Sequence, residues 1–165
     1  MSKKTISIIV IITSILLVSL YVLSNTYSII IDVIEGDNGD EIVNKITIRD
    51  LLTNDNGEYN NTYYQVLNEL SINDNEANTL MESIPLNNAL QIVLKDIVNY
   101  KLHNKNRLSK NEIYDLIISS TNEDDNISQE LKNRIIDKAN EYLNDVYDYL
   151  YDINVSSNGV EIWYI

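Results

Sequence analysis

The chain has 165 residues, 25 acids against 12 bases for a net charge of −13, and no cysteine. These values exclude a disulfide framework, a thiolate metal site and a cysteine-linked lipid anchor, and they argue against a nucleic-acid partner, which demands a basic face. The length suits one compact domain beside one membrane segment, with about two thirds of the unfolded surface buried on folding.

Residues 1–5 form a short tail carrying Lys3 and Lys4. The stretch Ile6 to Leu23 then reads ISIIVIITSILLVSLYVL without a charge, and the uncharged run continues to Ile31. That length spans a bilayer as a helix, and its serines and threonines can bond back to the preceding helical turn. All the acids follow it, beginning with Asp32, Glu35, Asp37, Asp40 and Glu41. The positive-inside rule therefore predicts a signal-anchor over 6–31 with the amino terminus cytoplasmic and the rest outside. A cleaved signal peptide is the rival reading, with Val22 and Ser24 before a cut at Asn25, but the apolar run exceeds an ordinary signal core. Small residues four apart are absent, so the anchor shows no helix-pairing seam.

Ser28 to Ile34 fits either an extension of the membrane helix or a short strand. Gly36-Asp37-Asn38-Gly39 breaks it, giving a flexible juxtamembrane linker over 32–41. The domain expected over 42–153 is a small helical bundle. Ile42 to Leu52 reads as a helix with a start at Thr47-x-x-Asp50, although Ile42, Ile46 and Ile48 also fit a period of two. A turn at Asn54-Asp55-Asn56-Gly57 leads to a helix whose face is Tyr59, Tyr63, Val66, Leu67 and Leu70. The next presents Ala77, Leu80, Met81 and Ile84 and stops at Pro85. Leu86 to Leu102 is read as the central helix, its stripe of Leu86, Ala89, Leu90, Val93, Leu94, Ile97 and Tyr100 widened by Ile92 and Val98. Ser109 and Glu112 have capping-box spacing with Leu108 and Ile113 as the staple, so a helix begins at Lys110. Ser120 to Asn126 is expected as a polar loop. The final helix, about Ser128 to Ile153, carries Ile135, Ala139, Tyr142, Val146, Tyr149 and Ile153, broadened by Leu143, Tyr147 and Leu150. Residues 154–165 end in VEIWYI, read as a strand beside Ile29 to Ile34, or as Trp163 and Tyr164 at the membrane interface.

Two charge features are candidate sites. Glu141, Asp145, Asp148 and Asp152 form a carboxylate stripe with no base beside it, at the helix end that prefers cations; a divalent metal or a basic partner would relieve it, and a solvated face is the plainer reading. Lys101, His103, Lys105, Arg107 and Lys110 form the one basic run of the acidic domain, a candidate patch for anionic headgroups or wall polymers, or simply cations suited to a helix end. Antiparallel packing of the central and final helices could join the two features. Alternatively the geometry keeps them apart, each free to bind the other on a neighbouring chain, although most charge runs simply face water.

The Asn- and Asp-rich turns fail the calcium-loop pattern. The nearest fit, Ser71, Asn73, Asn75, Thr79 and Glu82, has Glu76 where the loop needs glycine. The lone histidine, His103, rules out a histidine zinc site or a Ser-His-Asp triad of ordinary kind. No phosphate-binding or hydrolase motif occurs, so neither enzymatic activity nor a cofactor is expected. The layout resembles that of membrane proteins of AT-rich bacteria, a likeness that carries no motif and implies no activity. The expected role is a membrane-anchored interaction or scaffold module whose partners are the bilayer, through 6–31, and another membrane or envelope protein. A ligand- or cation-binding sensor is the second reading, and a carboxylate hydrolase the third.

Overall fold

The computed structural model describes residues 30–31, 33–35, 41–43, 46–151, 154–156 and 159–163. The membrane anchor expected at 6–31 lies outside them except for its last two residues. Among the described residues no helix is long and apolar enough to cross a membrane. The fold is mainly helical, as expected. Its elements in order are β1 (Ile30–Ile31), β2 (Val33–Glu35), β3 (Glu41–Val43), α1 (Ile48–Leu52), α2 (Asn61–Leu70), α3 (Asp74–Glu82), α4 (Ile84–His103), α5 (Lys110–Glu123), α6 (Gln129–Tyr151), β4 (Asn154–Ser156) and β5 (Gly159–Trp163).

The backbone ladders answer two ambiguities. Ile30 and Ile31 are extended, not helical, and pair antiparallel with β5 at Ile30↔Glu161 and Ile31↔Val160. Val33–Glu35 pairs with Glu41–Val43, so part of the expected linker and the expected start of the first helix are the two arms of a hairpin. Branched residues favour extended backbone, and an Asn-Gly pair lies between the arms in sequence.

Side-chain oxygens set where the helices begin. Thr47 and Asp50 make a reciprocal capping box for α1, Asn73 and Glu76 for α3, and Ser109 and Glu112 for α5. Each pair satisfies amides that a helix leaves without partners. The Asn60 side chain accepts from the amides of Thr62 and Tyr63 at the start of α2. The turn before it forms as expected: Gly57 adopts φ +77, and its N–H donates to the Asn54 carbonyl at 2.8 Å.

Ser83 ends α3 and caps α4 at once, with Pro85 in the first turn of the new helix. Proline is suited to that position, where an amide would have no helical acceptor. This corrects the expectation for Ile84. The change of axis at Ser83 takes Ile84 out of the α3 stripe and leaves it 73% exposed. Ile92, expected to widen the central stripe, is 48% exposed, whereas Val98 is buried. Tyr59 precedes α2 and is exposed, leaving Tyr63, Val66 and Leu70 as that helix's buried face. The segment Ser120 to Glu123 is the last turn of α5, not a loop, and Ser120 and Thr121 are buried.

The core gathers Leu86, Ala89, Leu90, Val93, Leu94 and Ile97 of α4 against Ile113 and Ile117 of α5 and Leu131, Ile135, Ala139, Leu143 and Val146 of α6. At its other end Arg134 joins three elements. Its guanidinium donates to the Leu70 and Ser71 carbonyls at 2.9 and 2.6 Å and to Glu76 at 2.8 Å. Ser71 there has φ 51, a left-handed cap more usual for glycine. A cation at a helix carboxyl end opposes the dipole and satisfies carbonyls that lack amide partners. Replacing Arg134 with Ala should cost about 2 kcal/mol in chemical denaturation. Lys should restore less than half of that, since one ammonium cannot reproduce the planar fork; full rescue by Lys would show that charge alone is what matters.

Candidate functional site

The connection from α4 to α5 is tied down on both sides of Leu108. The Leu108 N–H donates to Asp96 Oδ2 of α4 at 3.0 Å, and its carbonyl accepts from the Tyr147 hydroxyl of α6 at 2.6 Å. The Tyr151 hydroxyl donates to the same Asp96 oxygen. Arg107 lies over the rings of Tyr147 and Tyr151, at 4.8 and 5.4 Å to their centroids. Lys110 lies 5.6 Å from the Tyr147 ring and donates to Asn144 at 3.0 Å. Tyr100 meets Tyr151 edge-on at 5.2 Å. The result is a clasp of three tyrosines, one carboxylate and two cations at the carboxyl ends of α4 and α6.

The two predicted charge features therefore meet within one molecule, at Arg107 and Asp148, which goes against the hypothesis that each is left to bind a neighbouring chain. Arg107 reaches Asp148 at 3.6 Å, and Lys138 reaches Glu141 at 3.3 Å, so the stripe does have bases beside it. The antiparallel packing that could have joined them is not how they meet. Ser83 at the start of α4 lies by Asp124 and Lys132 near the start of α6, while Asp96 meets Tyr151 near the ends of both. The two helices run in the same direction, joined by α5. The charges meet because Arg107 and Lys110 sit beyond the end of α4, level with the end of α6.

The remaining members of the basic run are less engaged. Lys105 donates to Asn99 at 3.3 Å, and Lys101 stands 6.0 Å from the Tyr100 ring. The side chain of His103 and the whole of Asp152 lie outside the described residues. Asp145 is exposed. Among the described residues no group of three or more acids or histidines is disposed to hold a metal. The oxygens of the rejected calcium loop have other work. Asn73 accepts from the amides of Asn75 and Glu76, the Thr79 hydroxyl donates to the Asn75 carbonyl, and Glu82 pairs with Arg49 at 3.3 Å.

A second polar cluster escaped the sequence reading. Asp124 and Lys132 are both buried, and Lys132 donates to the Asn122 carbonyl at 2.9 Å. Burial pushes the Asp124 carboxyl up, but hydrogen bonds from Ser83 and Asn126 and the Lys132 ammonium outweigh it and hold the group below its ordinary value. Asp124 thus links the start of α4 to the turn before α6. Its sequence context, an acidic turn, carries no sign of that contact. A third cluster lies on α2, where Tyr59 stacks on Tyr63 at 3.8 Å, the Tyr63 hydroxyl donates to Asp74 at 2.8 Å, and Tyr64 stays 54% exposed.

The arrangement orders and cross-ties chain segments; its carboxylates accept from amides, phenols and cations of the fold itself. Comparison with protein-family models, curated proteins and solved structures yields no match to this chain.

Two measurements test the clasp. Asp96→Ala leaves the Leu108 amide and the Tyr151 phenol without their acceptor and should cost about 1–3 kcal/mol. Asp148→Ala removes only an exposed ion pair and should stay within about 0.5 kcal/mol. Equal costs would assign the clasp to the ion pair instead.

The buried tyrosines also predict an alkaline limit. Burial first, and then the carboxylates they donate to, push the phenols of Tyr63 and Tyr151 well above 10.0. Burial likewise raises Tyr147, with Arg107 opposing it. These groups keep their protons in the folded state while the unfolded chain releases them near pH 10. Their stabilisation is therefore complete below that value and falls as pH rises toward the folded values, by about 1.4 kcal/mol per pH unit for each. Melting between pH 8 and 11.5 should show this slope, reduced by about one proton in Tyr151→Phe. An unchanged slope in that variant would exclude Tyr151 as a contributor.

Proposed function

We propose that the chain is a single-pass membrane protein with a cytoplasmic amino terminus, whose helical domain works outside the cytoplasm as an interaction or scaffold module. The observation that carries this reading is the uncharged run Ile6 to Leu23, with Lys3 and Lys4 before it and every acid after it. The domain's polar groups support a module over a reaction centre: the carboxylates of Asp96 and Asp124 hold helix junctions, and Arg107 and Lys110 of the basic run pack on tyrosine rings of the same fold. Ile84 and Ile92, exposed two turns apart on α4, offer apolar contact on an otherwise acidic surface. The partner would be a protein of the membrane or envelope.

For the cation-sensor alternative, Glu141 and Asp148 each have a base within ion-pair distance, Lys138 and Arg107, which reduces the charge conflict that suggested it.

Orientation is testable directly because the chain has no cysteine. A single Asn140→Cys on the exposed face of α6 should react with a membrane-impermeant maleimide in intact cells, and a single Ser2→Cys only after lysis. The reverse pattern would overturn the orientation, and labelling of both only after lysis would place the domain inside. Crosslinking from Ile92 in intact cells should then recover a membrane or envelope protein.

A further inference from the structure

The chain contains three Asn-x-Ser/Thr triplets, Asn60-Asn61-Thr62, Asn126-Ile127-Ser128 and Asn154-Val155-Ser156. In a domain exported across a membrane such a triplet is an acceptor for an N-linked glycan. The sugar replaces one of the two hydrogens on the asparagine side-chain nitrogen, so a folded protein can carry it only where that nitrogen stands at the surface with a hydrogen to spare. Asn60 meets neither condition. It is half-buried; its Nδ2 donates to the carbonyls of Leu51 at 3.0 Å and Thr53 at 3.4 Å, while its Oδ1 accepts from the amides of Thr62 and Tyr63. Thr62, the third residue of that triplet, is buried as well. The side chain of Asn154 lies outside the described residues.

Asn126 meets both. It is exposed in the turn between α5 and α6. Its backbone N–H donates to Asp124 Oδ1 at 2.9 Å, and its side chain adds a hydrogen bond to the same carboxylate, for which an amide substituted once still has a hydrogen. Ile127 is buried and holds the triplet against the core, with Asn126 and Ser128 exposed on either side of it. The Ser128 hydroxyl accepts from the Leu131 amide at 3.2 Å as α6 begins. We propose that Asn126 is the attachment site of an N-linked glycan. The proposal rests on the exported reading of the preceding subsection. The donor is an oligosaccharide carried on a polyprenyl diphosphate. The bond from its anomeric carbon to the diphosphate oxygen breaks and that carbon bonds to Asn126 Nδ2; the diphosphate leaves with the electron pair, and the proton displaced from the nitrogen passes to a base of the transferase. Transfer occurs as the chain emerges, before Ile127 packs, and folding then keeps the sugar outside. At Asn60 the same transfer would take a hydrogen that the Leu51 or Thr53 carbonyl uses and would disturb the cap of α2, so a glycan there opposes the native fold.

Peptide masses from full-length protein, purified from the membranes of the cells that make it, test the assignment. The peptide containing Asn126 should carry a saccharide mass and the peptide containing Asn60 none. Asn126→Gln and Ser128→Ala should each abolish that mass, whereas Ser128→Thr, which keeps a hydroxyl for the triplet and for the start of α6, should retain it. An unmodified Asn126 peptide in the wild-type protein would overturn the proposal whatever the variants do, and so would a saccharide on Asn60 of the folded, protease-resistant chain. Labelling of Asn140→Cys by the impermeant maleimide separates the two readings. Labelling in intact cells with Asn126 unmodified sinks only the glycan, whereas labelling only after lysis sinks the exported domain and the glycan with it.

Discussion

Every aromatic side chain in the helical core carries a hydroxyl, because the chain has 12 tyrosines, no phenylalanine, and its one tryptophan lies in β5. Burying a phenol without a partner is costly, and for three of the buried tyrosines the fold supplies an acceptor. Tyr63 finds Asp74, Tyr147 the Leu108 carbonyl, and Tyr151 Asp96. Each bond crosses from one helix to another element. The requirement to satisfy three phenols thereby fixes how α2 meets α3 and how α6 meets both α4 and the loop before α5.

The second constraint is the supply of oxygens at helix starts. Asparagine is abundant here, and its amide oxygen performs the same task repeatedly: Asn60 and Asn73 cap helices, and Asn54 accepts from the amides of Asn56 and Glu58 in its turn. Asn104 ends α4 in the left-handed region that its short polar side chain tolerates. The turns that invited a calcium reading are thus made of the groups that begin and end helices. An oxygen already accepting two amide protons is a poor cation ligand.

Charge is used in the same way. Arg134 and Lys132 bond to carbonyls at helix ends, and Arg107 covers tyrosine rings. An acidic domain with few bases spends them on its own junctions, which leaves its outer surface predominantly acidic.

What the residues determined by themselves is local. The Ser109 and Glu112 box, the Thr47 and Asp50 start and the buried stripes of α4 and α6 are all periodicities or spacings within a few turns, and the described helices contain them; the uncharged run with its flanking lysines is equally local but lies outside the described residues. Tertiary structure decided what sequence separation hides. Ile84 and Ile92 fit stripes by period, yet both are exposed, Ile84 because the helix axis changes at Ser83. Arg134 meets carbonyls more than sixty residues away, and Asp124, an ordinary acid in a polar turn, meets Ser83 across the bundle. Arg107 met Asp148 because α4 and α6 run parallel, a direction set by the α5 crossover and not by either helix's pattern. Hydropathy and capping act between neighbours in the chain, whereas the pairing of charges and phenols depends on which helix ends the fold brings to the same level.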